Sequence, residues 1–326
     1  MSETIPQPAA ISESEQLELL RKMHEIRFFE DACHRLFAQG LVRGSTHLGQ
    51  GQEAVSVGAC SALRDGDTMS CTYRGHAAVL AMGAPVDRAF GEILGKAGGL
   101  CAGKGGSMHL TYMEKGAIGS FAIVGAHLPI AVGSAFAAQY RGTDAVSICF
   151  FGDGSTNIGA FHESLNLASV WRLPVIFICE NNLYGEYSPI ASTTPIERLA
   201  DRADSYAMAK AQVDGNSLLG VREIVDEAVS RAREGDGPTL IEALTYRQKG
   251  HSRSDPGAYR PPGELDAWLK RDPIVLFENE LIDQGTTRVE LDELRDGAER
   301  AVSDALARAR DWPEPDPTTL ETDVFA

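Results

Sequence analysis

Near the start of the chain the apolar positions fall at helical spacing. Leu19, Met23, Ile26, Phe29, Cys33, Leu36 and Phe37 share one face of a 3.6-residue repeat, and Gly40 stands where such a helix stops. From 41 to 125 the repeat breaks up into glycine- and histidine-rich stretches that read as loops. Residues 126–140 are small and apolar and predict a helix packed closely in the interior. The clearest pattern follows. Residues 145–151 (AVSICFF) read as a buried parallel strand stopped by Gly152-Asp153-Gly154, 159–171 as a helix, and 174–179 (PVIFIC) as a second buried strand ending at Asn181-Asn182. Strand, crossover helix and strand make a βαβ unit, right-handed by default. Residues 221–233 predict another amphipathic helix and 238–245 (PTLIEALT) another strand. The tail from Asp272 is helical and charged, then proline-rich from Pro313. With no internal repeat and no long linker, the expected partition is a disordered lead (1–14), one α/β domain (15–270) and a helical C-terminal extension (271–326).

Composition narrows the function. A formal charge of −16 over 326 residues works against nucleic acid or an anionic membrane as the main partner, since both need a positive surface. No apolar run approaches the roughly 18–20 residues that span a bilayer. The polar, acidic start carries neither a basic opening nor an apolar signal core, so a cytoplasmic protein is expected. Cys33, Cys60, Cys71, Cys101, Cys149 and Cys179 form no CxxC pair, and buried reduced thiols are the better reading than a zinc site or a disulfide framework.

Ligands of a doubly wound sheet bind beyond the carboxyl ends of its strands. Asp153 and Asn182 each follow such an end, on strands joined by one crossover. If those strands are neighbours, the two side chains sit roughly 5 Å apart, one strand spacing. One carboxylate and one amide oxygen suit Mg²⁺, which takes its remaining ligands from phosphate and water. Glycines on both sides of Asp153 let backbone N–H groups approach a phosphate. A GDG alone is most often a plain turn, but GDG after a buried strand, then helix, strand and NN, is far more specific. Two other nucleotide sites fit poorly. Residues 98–104 (GGLCAGK) match GxxxxGK, yet Gly105 replaces the required hydroxyl residue and no buried strand leads in. The GDGSTNIG run lacks the GxGxxG spacing of a dinucleotide fold.

GDG to NN over this span resembles the thiamine-diphosphate motif. The resemblance extends over residues 17–316, through HLGQGQEAVSVG (from His47), TYRGH (from Thr72), GKGGSMH (from Gly103), IVGA (from Ile123), FFGDGSTNIG (from Phe150), CENNLYGEY (from Cys179) and TYRQKGHSRSDPGAYR (from Thr245). It is specific to alpha subunits of the thiamine-diphosphate-dependent 2-oxoacid and acetoin dehydrogenases. The resemblance implies the thiamine-diphosphate-binding α/β fold, a mostly parallel sheet with helices on both faces. It implies Mg²⁺ held by Asp153, Asn182 and the carbonyl of Tyr184. Tyr73, Arg74, Gly154 and Ser155 would meet the diphosphate, with the backbone at Ala122 and Val124 against the aminopyrimidine and Ile123 as apolar support. His47 and His251 would line the site as proton donors or electrostatic stabilisers, His251 also touching the cofactor.

The family's catalytic glutamate belongs to a separate beta subunit, so none is assigned here. An α2β2 heterotetramer is expected, inactive as this chain alone, passing its acyl group to a lipoyl-bearing acyltransferase component. Residues 247–260 would be a mobile loop that orders around the cofactor and meets the lipoyl domain. Ser252 matches a phosphorylated position of mitochondrial relatives and reads here as an ordinary loop serine. Two positions depart from the pattern: Phe121-Ala122 stands where the family usually has Asn-Gly, and Ile158 where it commonly has glutamine. For the substrate, GHSRSDPGAYR resembles the pyruvate type and NLASVWRLPVIFICENNLYGEYSP the acetoin type. Pyruvate is the leading expectation and acetoin the alternative. A branched-chain substrate fits less well, because that type usually has glutamate at Asp153.

Overall fold

The computed structural model describes residues 11–42 and 44–322. Helix α1 (Glu13–Ala38) opens on a capping box between Ser12 and Glu15 and buries Met23, Ile26, Phe29, Cys33 and Leu36 of the predicted stripe, with Leu20 in the core where Leu19 was expected and Leu19 and Phe37 half-buried at its edge. Its end is closed by the Gly40 and Leu41 N–H groups, which return to the carbonyls of Phe37 and Leu36. Residues 1–10 of the expected lead lie outside the described residues.

The stretch expected as loop holds five elements: α2 (Glu53–Cys60), β1 (Thr68–Thr72), α3 (His76–Ala81), α4 (Val86–Ile93) and β2 (Ala117–Phe121). They escape the pattern because each is short. The strands, TMSCT and AIGSF, are built from small and polar residues rather than a β-branched run. Then follow α5 (His127–Tyr140), β3 (Ser147–Gly152), α6 (Gly159–Trp171) and β4 (Val175–Asn181). A two-residue hairpin, β5 (Tyr184–Gly185) with β6 (Ser188–Pro189), precedes β7 (Ala209–Asp214), α7 (Leu218–Arg233) and β8 (Thr239–Leu244). Three helices close the chain: α8 (Glu264–Leu269), α9 (Pro273–Asp283) and α10 (Arg288–Arg310). Strand β7 was not expected either. It is an edge strand, half exposed, and its Lys210 and Gln212 blunt that edge.

All six strands of the main sheet are parallel, in the order β2-β1-β3-β4-β8-β7. Alternation along β3 feeds two cores. Ile148 and Phe150 join Ile176, Ile178, Val221 and Val225 under α7, while Cys149 and Phe151 join Phe177, Leu128 and Phe161 under α5 and α6. A third cluster gathers α1, α4, α9 and α10. Arg27 ties these layers together, bonding Glu53 through Nε at 2.6 Å and Asp272 through Nη1 at 3.0 Å. Helix α5 departs from the expected interior packing. Leu128, Ala131, Val132 and Ala135 are buried, but Ile130, Phe136 and Tyr140 face outward, and Tyr140 is 83% exposed.

The GxxxxGK look-alike has a different occupant. The fully buried carboxylate of Glu92 accepts from the backbone N–H of Cys101 and Gly103 at one oxygen, and of Gly105 and Gly106 at the other, at 2.7–3.0 Å. Such a concave set of amides is an anion nest, filled here by the chain's own side chain. Glu92→Gln puts an NH₂ where two of those donors converge. It is expected to destabilise the fold by about 2–4 kcal/mol, read as a lower denaturant midpoint at unchanged slope.

Candidate active site

In the sheet order the chain moves from β1 outward to β2, then returns past β1 to β3. The crevice at such a reversal is where open α/β sheets bind ligands. A cavity of about 560 Å³ lies there, an ordinary size for a cofactor site. His47, Tyr73, Arg74, Ala122, Val124, Asp153, Gly154, Ser155, Asn182, Tyr184 and His251 line it, as expected, whereas Ile123, expected as apolar support, does not and is 72% exposed.

Asp153 and Asn182 come together because β3 and β4 are neighbours, with Gly152 paired to Glu180. The amide of Asn182 is turned by Gln52, whose oxygen accepts its N–H at 3.1 Å. Its carbonyl oxygen, on the other side, accepts from the N–H of Tyr184 at 3.4 Å. Between them Leu183 sits at φ +73°, an uncommon strain for a bulky side chain, and this bend starts the hairpin that carries the Tyr184 carbonyl. The hairpin lies against the GDG turn glycine to glycine. A Cβ on Gly154 would come within 3.3 Å of the Gly185 Cα. Burial pushes the Asp153 carboxyl up to about 6, although backbone N–H groups and the charges of Arg247 and Arg74 pull it down.

Arg74 and Arg247 supply the positive charge. Arg74 donates to the carbonyls of Leu48 (2.6 Å) and His251 (2.8 Å), and Arg247 to Glu186 O (2.8 Å) and Tyr259 Oη (2.6 Å). Arg247 is 1% exposed, and among the described residues neither arginine makes an ion pair. Desolvation, with Arg247 adding to it, draws Arg74 down to about 10. The rings of His47 and His251 stand edge-on 5.0 Å apart, with Tyr73 4.3 Å from His47. Burial and then the Arg74 charge hold His47 down to about 3 and His251 to about 4, so both are neutral at neutral pH. The Nδ1 atoms of both are buried without a protein partner.

The structure adds residues that the sequence reading did not single out, above all Arg247, Gln52, Glu180 and Met108. Glu180 is the penultimate residue of β4, two before Asn182, and burial raises its carboxyl to about 7 against the pull of Arg74. Its place in CENN was the available signal. For Arg247 there was little, since a polar run does not reveal which cation is buried. A second group of potential ligands, Glu30, Cys33 and His76, lies behind the site with its ligand atoms within 4.8 Å. Its polar atoms are already committed. Glu30 accepts from the Gly49 N–H (2.9 Å) and pairs with His76 Nδ1 (2.9 Å), and His76 Nε2 meets Ser107 Oγ (2.8 Å). It is a buried polar relay that steadies the loops carrying His47 and Met108.

The sequence model of the dehydrogenase E1 component family matches residues 21–318. The chain belongs to the dehydrogenase E1 component family. It is 44% identical to the alpha subunit of the acetoin:2,6-dichlorophenolindophenol oxidoreductase of Bacillus subtilis, over 97% of this chain and 95% of that protein. To the corresponding Cupriavidus necator subunit it is 42% identical, over 95% and 93%. To the pyruvate dehydrogenase E1 component subunit alpha of Rhizobium meliloti it is 40% identical, over 97% and 92%.

Against that E1 pattern the two departures have a physical account. Phe121 stacks on His127, ring centres 6.0 Å apart, and His127 bonds the Phe150 carbonyl at 2.9 Å. The extra aromatic is therefore braced against the sheet, and Ala122 puts its methyl on the cavity wall without a left-handed backbone. Ile158 fills the space over Gly125, where an added Cβ would lie 1.8 Å from its Cδ1.

Asp153 sets a stability cost that is testable without any ligand. Its folded carboxyl holds a proton more tightly than an unfolded one. The cost is therefore absent below about pH 4, grows as pH rises from about 4 to 6, and is full above that. At pH 7.5 Asp153→Asn is expected to stabilise the ligand-free protein by on the order of 2 kcal/mol, with the gain vanishing near pH 4. Thermal melts of both forms across that range check it.

Proposed function

We propose that this chain is the alpha subunit of a thiamine-diphosphate-dependent dehydrogenase that oxidises a small acetyl donor and hands the acyl group to a lipoyl carrier. Family membership supports the class. The observation that carries the cofactor is a pair of arginines, Arg247 buried and Arg74 half-buried, without a carboxylate partner among the described residues, facing a glycine-flanked carboxylate across one cavity. In a chain of charge −16, that arrangement calls for a ligand bearing both phosphate and a cation. The residues fit it. Arg74, Arg247, Tyr73 and the backbone at Gly154 and Ser155 would hold the diphosphate. Asp153, Asn182 and the Tyr184 carbonyl would hold Mg²⁺, whose charge would relieve the burial cost on Asp153. Ala122, Val124 and Met108 give the wall an apolar side for the aromatic end of the cofactor.

A bound thiamine diphosphate supplies nucleophilic attack on, and electron storage at, the donor's carbonyl carbon. The chain's own contribution is positioning and proton handling. His47 and His251 are uncharged at neutral pH and both line the same cavity. They can donate a hydrogen bond to a developing oxyanion, or accept a proton, without bringing a fixed charge beside the arginines. The glutamate that would activate the cofactor is assigned to a beta subunit. Its seat is the outward face of α5 and α6, where Ile130, Phe136, Leu167, Val170 and Trp171 form an apolar ridge, with Phe136 and Trp171 5.3 Å apart. This ridge follows directly in the chain from Val124 on the cavity wall. The six free cysteines, five of them buried with thiols pushed up by burial, fit a reducing compartment such as the cytoplasm. Among the described residues no helix is long and apolar enough to cross a membrane.

Pyruvate is the donor that the GHSRSDPGAYR segment favours. Acetoin is a second reading, favoured by the 44% and 42% matches. Dye reduction by the chain co-produced with its beta partner, with thiamine diphosphate and Mg²⁺, separates them. Turnover of one donor alone assigns the substrate, and inactivity with both while the cofactor is bound would refute both donors. Arg247→Met is expected to weaken thiamine diphosphate binding by about 10- to 100-fold in calorimetry, one lost charged contact. Phe136→Asp is expected to abolish co-purification with the beta subunit while the chain itself stays folded.

A further inference from the structure

Helix α8 sits behind the cavity and lines none of it, yet its first residue grips the walls on two sides. The Glu264 carboxylate accepts from the hydroxyl of Tyr184 at 2.8 and 3.1 Å and from that of Tyr246 at 2.8 Å. Tyr184 lines the cavity and is the residue whose carbonyl would hold the cation. Tyr246 lies two residues beyond the end of β8 and immediately precedes Arg247. The grip is reinforced from the same helix. Trp268 stacks on Tyr246, centres 5.3 Å apart and planes 7° off parallel, and Arg260, four residues before the helix, lies 5.0 Å over the Tyr246 ring. Tyr184 is buried, and its hydroxyl has no other partner among the described residues.

We propose that Glu264 is a positioning residue that fixes the distance between the cation-binding carbonyl of Tyr184 and the phosphate-binding guanidinium of Arg247. The inference rests on the cofactor reading given above. Its physical basis is simple. The β5–β6 hairpin is only two residues a side and starts from a strained Leu183, so its own hydrogen bonds cannot hold the carbonyl against relaxation. A carboxylate that binds both tyrosines replaces that missing rigidity. Arg247 itself fastens the hairpin's turn, at the Glu186 carbonyl (2.8 Å), but its contact with the Tyr184 carbonyl, at 3.5 Å, is too long to fix that oxygen. Glu264 touches neither cation nor cofactor, and acts through the two tyrosines.

The test is a Mg²⁺ titration of the assembled complex at saturating thiamine diphosphate, followed by calorimetry, with melts of each variant alongside. Glu264→Ala is expected to weaken Mg²⁺ binding about 10-fold or more, the usual effect of losing a residue that orients a ligand. Glu264→Gln keeps an acceptor for both hydroxyls and is expected to restore binding to within about threefold. Tyr184→Phe, which leaves ring and backbone in place, is expected to weaken it severalfold, and this variant decides the matter should Glu264→Ala fail to fold. Parent-like Mg²⁺ affinity in Glu264→Ala, or in Tyr184→Phe, would overturn the proposal. So would equal losses in Glu264→Ala and Glu264→Gln, which would make the charge and not the strut responsible. A parent complex that binds no Mg²⁺ with the cofactor would instead refute the cofactor reading, and this inference with it.

Discussion

A parallel sheet points all its strands one way, and the rest of this molecule follows from that. The carboxyl ends of β1, β3, β4 and β8 open on one edge, so the chain leaves the sheet at Tyr73, Asp153, Asn182 and Thr245 within one small region. Groups distant in sequence meet there without any local motif joining them. The reversal between β1 and β3 leaves the gap, and the loops after each strand supply its walls. Loops alone would not hold such a site. Arg74 and Arg260 hold them by donating to backbone carbonyls, and the buried Glu30–His76–Ser107 relay supports them from behind.

The electrostatics of the cavity run against those of the molecule. A strongly acidic chain concentrates one buried and one half-buried cation in one crevice, and sets Asp153 and Glu180 beside them with carboxyls pushed up by burial. None of this favours the empty fold. Unpaired buried charges are costly, and a fold selected only for stability would have paired or removed them. The same groups become complementary once an anion and a cation occupy the space together, which is why the arrangement points to both at once. The neutral histidines complete it, because a protonated imidazole beside Arg74 would add a third cation.

Legibility in the sequence tracked the length and burial of each element. β3, α6, β4, α7 and β8 were readable because long apolar runs and helical repeats leave few alternatives, and the placement of Asp153 and Asn182 followed from them. The elements between 41 and 125 were not, since TMSCT and AIGSF owe their strand state to neighbours in the sheet rather than to their own residues. The outer face of α5 was left open between an intrachain core and a subunit interface for a related reason. A small apolar helix looks the same whether both sides are buried within one chain or one side awaits another. At the site, the residues carried over from the family pattern reach the cavity, Ile123 excepted, whereas Arg247 and Gln52 act through burial and orientation that only the folded chain displays.

The Glu92 nest has a bearing on how such loops change over time. Four amides that would bind a free anion are occupied by a tethered one, so the loop is in effect a phosphate site with its inhibitor built in. Shortening that one side chain would not dismantle the concavity so much as vacate it, leaving a hole of acetate or formate shape in an otherwise finished wall. A small carboxylic acid added from solution could then take the vacated place, and a structural residue would have become a binding pocket by a single substitution.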